Sequence, residues 1–251
     1  MPFDSTHSRR HAALQRLYEQ ELAALAPILA GVYGNAGLLL RADEAMGGRL
    51  PAHLLGTLIE LTLDDARTLR GSLSCAAGEL PLASESCKLV VVQHLFERLG
   101  DPAACAGEIA RVLASEGVLL VLGFNPLSLW RPWLASAARR AQAELRFRSS
   151  QSCGALFAAL GMDVLQTRYF GALSPWLKPD PAAGEAEREA RTERWLRFRG
   201  SWLLLARKRR SALTPLRLRR DVRELARNPR LAPGAHRECA SALAPIEEKC
   251  A

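Results

Sequence analysis

The sequence predicts an α/β protein built on a doubly wound, mostly parallel sheet. Three observations carry this. Two continuous apolar runs, Lys88-LVVV and Val118–Phe124 (VLLVLGF), suit strands buried on both faces. A helical pattern lies between them, which makes a βαβ unit with a right-handed crossover. Two further apolar runs, Met162–Phe170 and Ser201–Arg207, close the pattern and suggest a terminal antiparallel pair.

The elements follow in order. Leu14, Leu17, Tyr18, Leu22 and Leu25 recur at helical spacing behind a cap at Asp4 or Ser5. The short apolar run Pro27–Ala30 then reads as the first strand, followed by a glycine-bearing turn, GVYGNAG. Leu38–Met46 reads as the next helix, ended by Gly47-Gly48. His53–Leu63 reads as a strand, with a short one near Ser72–Ala76. Asp101-Pro102 opens a helix with a capping side chain and a proline in its first turn. Its apolar face is Cys105, Ile109, Val112 and Leu113, and Gly117 ends it. A weaker helix spans Pro132–Leu145. Ser152 caps another that carries Leu156, Phe157 and Leu160 and stops at Gly161.

The chain has 251 residues, 49% apolar and 24% charged, which is ordinary for a single globular domain. The domain is placed at about residues 10–210, with a basic tail over 211–251. The net charge is +8. From Arg194 to Arg230, thirteen Lys or Arg stand against Asp221 and Glu224, so the excess is largely local. The six cysteines include no C-x-x-C pair and sit mostly in apolar runs, as small buried hydrophobes do. The polar N-terminus shows no secretory h-region, and no run of about 18–20 apolar residues predicts a membrane span. The expected compartment is the cytoplasm, with reduced thiols.

The stretch ELPLASESCKLVVVQHLFERLGDPAACAGEIARVLASEGVLLVLGFNP is similar to the middle of S-adenosylmethionine-dependent methyltransferases of the small-molecule, type 11 kind. The resemblance rests on Leu80-Pro81-Leu82, Val90–His94, Glu97, Asp101-Pro102, Glu108, Arg111-Val112-Leu113, Gly117 and Val118–Gly123. It implies a Rossmann-like class I methyltransferase fold with seven strands, six parallel and the last antiparallel. It also implies S-adenosylmethionine as cofactor, lying across the strand ends at the topological switch point. The family places an acid two residues before a GxGxG turn. Here the glycines are Gly31, Gly34 and Gly37, and Leu29 stands in the place of the acid.

The expected cofactor-binding residues are therefore Gly31 and Gly34 in the first turn, Glu60 at the ribose, and Glu79 and Leu80 at the Leu-Pro turn. Ala76 stands where the family has an acid near the adenine. His94, at a strand end, is the candidate catalytic base; the other reading packs it beside the cofactor with no proton role. Glu60 reads equally as a solvated strand-end acid, and the glycines as a surface turn. Trp130 and Trp133 either stack on an aromatic acceptor or cover the core edge. His7 and His11 are spaced i, i+4, but no third ligand is evident, and no metal is expected.

The function this implies is methyl transfer to an unidentified small molecule. The rival is a non-catalytic, methyltransferase-like scaffold or regulator. The basic tail also suggests nucleic acid as a partner, but it carries no interleaved aromatics to stack bases, and this option is not favoured.

Overall fold

In the computed structural model of the chain, residues 3–46, 48–65, 67–176 and 196–209 are described. The expected 211–251 tail lies outside them. Eight strands form one sheet: β1 (Tyr33–Arg41), β2 (Leu54–Leu63), β3 (Thr68–Gly71), β4 (Ser74–Ala76), β5 (Cys87–Gln93), β6 (Leu113–Phe124), β7 (Met162–Phe170) and β8 (Ser201–Lys208). Their spatial order is β4-β3-β2-β1-β5-β6-β8-β7. Five helices accompany them: α1 (Phe3–Leu29), α2 (Leu95–Arg98), α3 (Ala103–Val112), α4 (Trp130–Arg140) and α5 (Ser150–Ala159).

Strands β2, β1, β5 and β6 are parallel neighbours. Strand β8 runs antiparallel to both β6 and β7, so the expected terminal pair is present. The period-two alternation of β5 serves two faces. Val90 and Val92 join Leu38, Leu40, Val121, Ile109 and Phe157 in one cluster. Leu89 and Val91 join Leu39, Leu120, Leu25 and Leu29 in the other. One face is thus covered by α2, α3 and α5, and the other by α1.

Two segments depart from the expectation. Pro27–Ala30 is not a strand: Pro27 to Leu29 complete α1. Leu38–Met46 is not a helix. Leu38, Leu39 and Leu40 are wholly buried in β1, between β2 and β5, and only Glu44–Met46 makes a short 3-10 turn. Three consecutive leucines fit either period, and burial on both faces of the sheet decides for the strand. Gly117 does not end α3, which stops at Val112; it lies within β6, where the register against β5 shifts between Cys87 and Leu89. Ser149, not Ser152, caps α5, its hydroxyl accepting from Ser152 N–H at 3.1 Å.

There is one more strand than expected. Between β2 and β4 the chain has only ten residues, Asp64 to Leu73. A parallel crossover needs about a dozen or more. The chain instead doubles back as β3, antiparallel to β2, and again as β4, antiparallel to β3. Gly71 permits the close pairing, because a Cβ there would stand 2.1 Å from the Glu60 carbonyl oxygen. Leaving β3 aside, six strands share one direction and β8 opposes them, as the resemblance implies.

Candidate functional site at the carboxyl ends of the strands

In open parallel sheets, ligands bind beyond the carboxyl ends of the strands, where the order reverses. Here that point lies between β1 and β5, at Arg41 and Gln93, which are register partners. The residue after β5 is His94. Its backbone is left-handed, φ 53°, and it opens α2. Its ring Nε2 lies 2.9 Å from Glu21 Oε1, on α1, and its Nδ1 lies 3.2 Å from Glu97 Oε2. The ring stacks on Phe124 at 3.9 Å between centroids. Ser201 Oγ donates to Glu21 at 2.6 Å, Gln93 Nε2 donates to it at 3.3 Å, and the Phe124 N–H donates to Glu97.

Glu21, His94 and Glu97 are 0%, 1% and 2% exposed. Burial by itself lowers the pKa of an imidazole, but Glu21 and Glu97, by charge and by hydrogen bonding, outweigh it and raise His94 to about 10. At neutral pH the ring is a cation held between two carboxylates, with both nitrogens engaged. A general base needs a free nitrogen within reach of the substrate. This His94 holds α1 to the sheet, and the base reading does not survive the geometry. The sequence carried one unread signal of this cluster. Glu21 falls on the apolar stripe of α1, three residues after Tyr18 and four before Leu25, and an acid buried there needs a buried partner.

The other expected residues are placed as follows. Gly31 is exposed, in the turn that leaves α1, its N–H donating to the Ile28 carbonyl at 3.2 Å. Gly34 lies inside β1 opposite Leu55, and a Cβ there would meet the Lys88 side chain at 2.6 Å. Both sit at the amino end of β1, the wrong end of the sheet for a cofactor turn. The misplacement follows from reading Pro27–Ala30 as the first strand. The link that leaves the carboxyl end of β1 begins Ala42-Asp43-Glu44-Ala45-Met46, and its glycines, Gly47 and Gly48, come only after these five residues.

Glu60 accepts an ion pair from Arg41 at 3.2 Å. Arg41 also donates to the Gly48 carbonyl, and its buried Nε has no hydrogen-bond partner. Leu80 is buried, and its backbone is fully occupied. Its N–H donates to Glu108 Oε2 at 2.8 Å, and its carbonyl accepts from Arg111 at 2.8 Å. Arg111 donates to the Leu82 carbonyl as well. The Leu-Pro-Leu turn and the Glu108–Arg111 pair are thus one structural clamp, which explains why those residue types accompany each other. Glu79 is exposed beside it. Trp130 and Trp133 are buried edge to face at 5.5 Å and belong to the core. The side chains of His7 and His11 lie outside the described residues. Burial pushes the Cys105 and Cys153 thiols up to about 12, so neither is a ready nucleophile.

A cleft of about 440 Å³ opens at the same end of the sheet. It is bounded by Ala76, Ala77 and Gly78 after β4, by Leu99, Gly100 and Asp101 between α2 and α3, and by Arg67 in the turn after β2. Its size is within the usual range of small-molecule sites.

Residues 57–121 match the family model described as a methyltransferase domain. An S-adenosylmethionine-dependent methyltransferase from Thermotoga maritima is similar in structure, with 16% identity and a TM-score of 0.53, over 82% of this chain and 97% of that one. This chain carries the S-adenosylmethionine-dependent methyltransferase fold. A second such enzyme, from Mesorhizobium loti, matches with 14% identity and a TM-score of 0.46, over 75% of this chain and 96% of that one. No curated protein matches the chain.

The resemblance read from the sequence holds, and the family match and fold indicate S-adenosylmethionine as the cofactor. The residues fit it unevenly. Small walls at Ala76–Gly78, with the Asp101 carboxylate opposite, suit an adenosine end. After β1 the first five residues hold no glycine but bring two carboxyl side chains, Asp43 and Glu44, and Arg41 is ion-paired with Glu60 at 3.2 Å.

Proposed function

We propose that this chain is a cytoplasmic S-adenosylmethionine-dependent methyltransferase acting on a small molecule. The cleft between the β4 end and the α2–α3 loop carries this reading, because it is open, suitably sized and at the carboxyl end of a family-matched sheet. Ala76, Ala77 and Gly78 line the adenosine end, and Glu79 lies at its rim. When bound, the cofactor supplies an already activated methyl group, so the protein's task is to align an acceptor with it rather than to move a proton. That suits a site whose histidine at the end of β5, His94, is locked in ion pairs.

A second reading, a non-catalytic methyltransferase-like protein, is favoured by one observation: the five residues that follow β1, Ala42 to Met46, contain no glycine.

Titration calorimetry with S-adenosylhomocysteine on wild type and Gly100→Leu tests the reading. A Cβ at Gly100 meets nothing within 4 Å, so this change fills the cleft without disturbing the fold. Binding that Gly100→Leu abolishes supports the proposal. No heat at millimolar ligand moves the assignment to the non-catalytic reading. Labelled-methyl incorporation into a metabolite extract then identifies the acceptor class.

A further inference from the structure

Helix α1 runs back along the sheet, so its first half reaches beyond the carboxyl ends of the strands. Leu25 packs with Leu39 of β1 and Val91 of β5. Glu21 reaches His94, just past the end of β5. Three residues earlier, Tyr18 packs with Ala42, the first residue after β1, and with Phe124, the last of β6. The Tyr18 ring lies 5.7 Å from that of His94. Tyr18 therefore stands over the point between β1 and β5 where the strand order reverses, at the end of the sheet that binds ligands.

Tyr18 is only 8% exposed, and among the described residues its hydroxyl makes no hydrogen bond. A buried phenol ordinarily finds a partner. This one is open to a partner from outside: among the described residues, the fully enclosed side-chain nitrogen or oxygen without a hydrogen bond is Arg41 Nε, not the Tyr18 hydroxyl. Burial, and then the carboxylates of Glu21, Asp43 and Glu97, push the phenol well above its usual range, with Arg98 opposing them. The O–H therefore stays protonated and can give or accept a hydrogen bond. Arg98 closes α2 and is half-buried, and among the described residues its guanidinium makes no hydrogen bond or ion pair. It directly precedes Leu99 and Gly100, which bound the cleft. A guanidinium takes a carboxylate, and a carboxylate with a phenol oxygen takes an ammonium group.

We propose that Tyr18, Asp43 and Arg98 receive the zwitterionic amino-acid end of the cofactor, in place of the expected glycine turn. Arg98 holds the carboxylate of that end, and the Asp43 carboxylate with the Tyr18 oxygen holds its ammonium group. This rests on the methyltransferase reading and assigns the end of the ligand that the walls at Ala76–Gly78 do not hold.

The test is titration calorimetry of the full chain with two ligands. S-adenosylhomocysteine carries the amino-acid end, and 5′-methylthioadenosine keeps the adenosine and the sulfur but lacks it. Wild type should bind the first more tightly. Tyr18→Phe, Asp43→Asn and Arg98→Gln should each weaken S-adenosylhomocysteine about tenfold or more, the worth of one hydrogen bond to a charged group. Each should leave methylthioadenosine unchanged. Tyr18→Phe keeps the packed ring, and Asp43 and Arg98 reach solvent, so melting temperatures should stay at the wild-type value. An S-adenosylhomocysteine affinity that any of the three leaves unchanged overturns the proposal and spares the methyltransferase reading. So does a parallel loss for both ligands, or a wild type that binds the two equally. A wild type that binds neither ligand overturns the methyltransferase reading and the proposal with it.

Discussion

His94→Gln removes the cation from a buried site and leaves Glu21 and Glu97 facing each other without it. Breaking a buried ion pair from one side costs about 3–5 kcal/mol, because the remaining charge stays buried and uncompensated. In a domain of this size each kcal/mol is worth about 2–4 °C in melting temperature, so a fall of about 6–20 °C is expected. The pH dependence is a sharper test. The His94 pKa rises from 6.5 to about 10 on folding. At about 1.4 kcal/mol for each factor of ten, the native pairing contributes about 5 kcal/mol. A raised pKa means that the folded state binds the extra proton. The contribution is therefore fully present below pH 6.5 and is lost as pH climbs to about 10, with a slope near −1.4 kcal/mol per pH unit. Denaturant melts of wild type and His94→Gln across pH 6–10.5 measure it. Wild type loses stability through this window, and the variant shows a flatter profile. Parallel profiles, or a variant as stable as wild type at pH 7, refute the ion-locked reading. So does an imidazole resonance that titrates near 6.5.

Other expectations follow from the geometry. Glu21→Gln, which leaves His94 and Glu97 charge-balanced, should destabilise less than His94→Gln in the same melts. Glu108→Ala frees the Leu80 N–H and two donors of Arg111, and should cost about 2 kcal/mol, read as a lower denaturant midpoint at unchanged slope. Gly123→Ala places a Cβ 2.3 Å from the Trp202 ring and 3.0 Å from Glu97, and should destabilise by about 1–3 kcal/mol by overpacking. Gly31→Val, at the amino end of β1, should leave the calorimetric affinity for S-adenosylhomocysteine unchanged; a tenfold loss would return that glycine to the site.

The sheet was legible where residue type and period agreed. Val90–Val92 and Leu119–Phe124 admit only a doubly buried strand, and Asp101-Pro102 marks the start of α3 by its chemistry. It was illegible at Leu38–Leu40, where an all-leucine run satisfies both periods and only neighbouring strands break the tie. With Leu38–Leu40 taken for a helix, Pro27–Ala30 stood in as the first strand, which moved the supposed cofactor turn from the carboxyl end of β1 to the amino end and took Gly31 and Gly34 with it. β3 was missed because its four residues, TLRG, lack a β-branched run; the evidence for it was the shortness of the link from β2 to β4. The resemblance found Leu80, Glu97, Glu108 and Arg111 but not their roles, since residues that hold a turn in place recur together as regularly as residues that touch a ligand. His94 was found for its type, and its partner Glu21, with the Ser201 hydroxyl that donates to that acid, lay too far along the chain to be connected.

The buried contact between Glu21 and Ser201 spans 180 positions of sequence. Helix α1 therefore completes its polar partnership only when β8 has been synthesised. At about 5–20 residues per second, that delay is roughly 9–36 s of synthesis. Through that interval α1 lacks the hydroxyl that completes the Glu21 cluster, and the sheet lacks β8 between β6 and β7. Closure of this cluster is thus tied to the synthesis of β8, and a chain truncated before Ser201 lacks the hydroxyl that meets Glu21 and leaves β6 and β7 without the strand between them. Such truncated chains are ready substrates for chaperone capture and proteolysis.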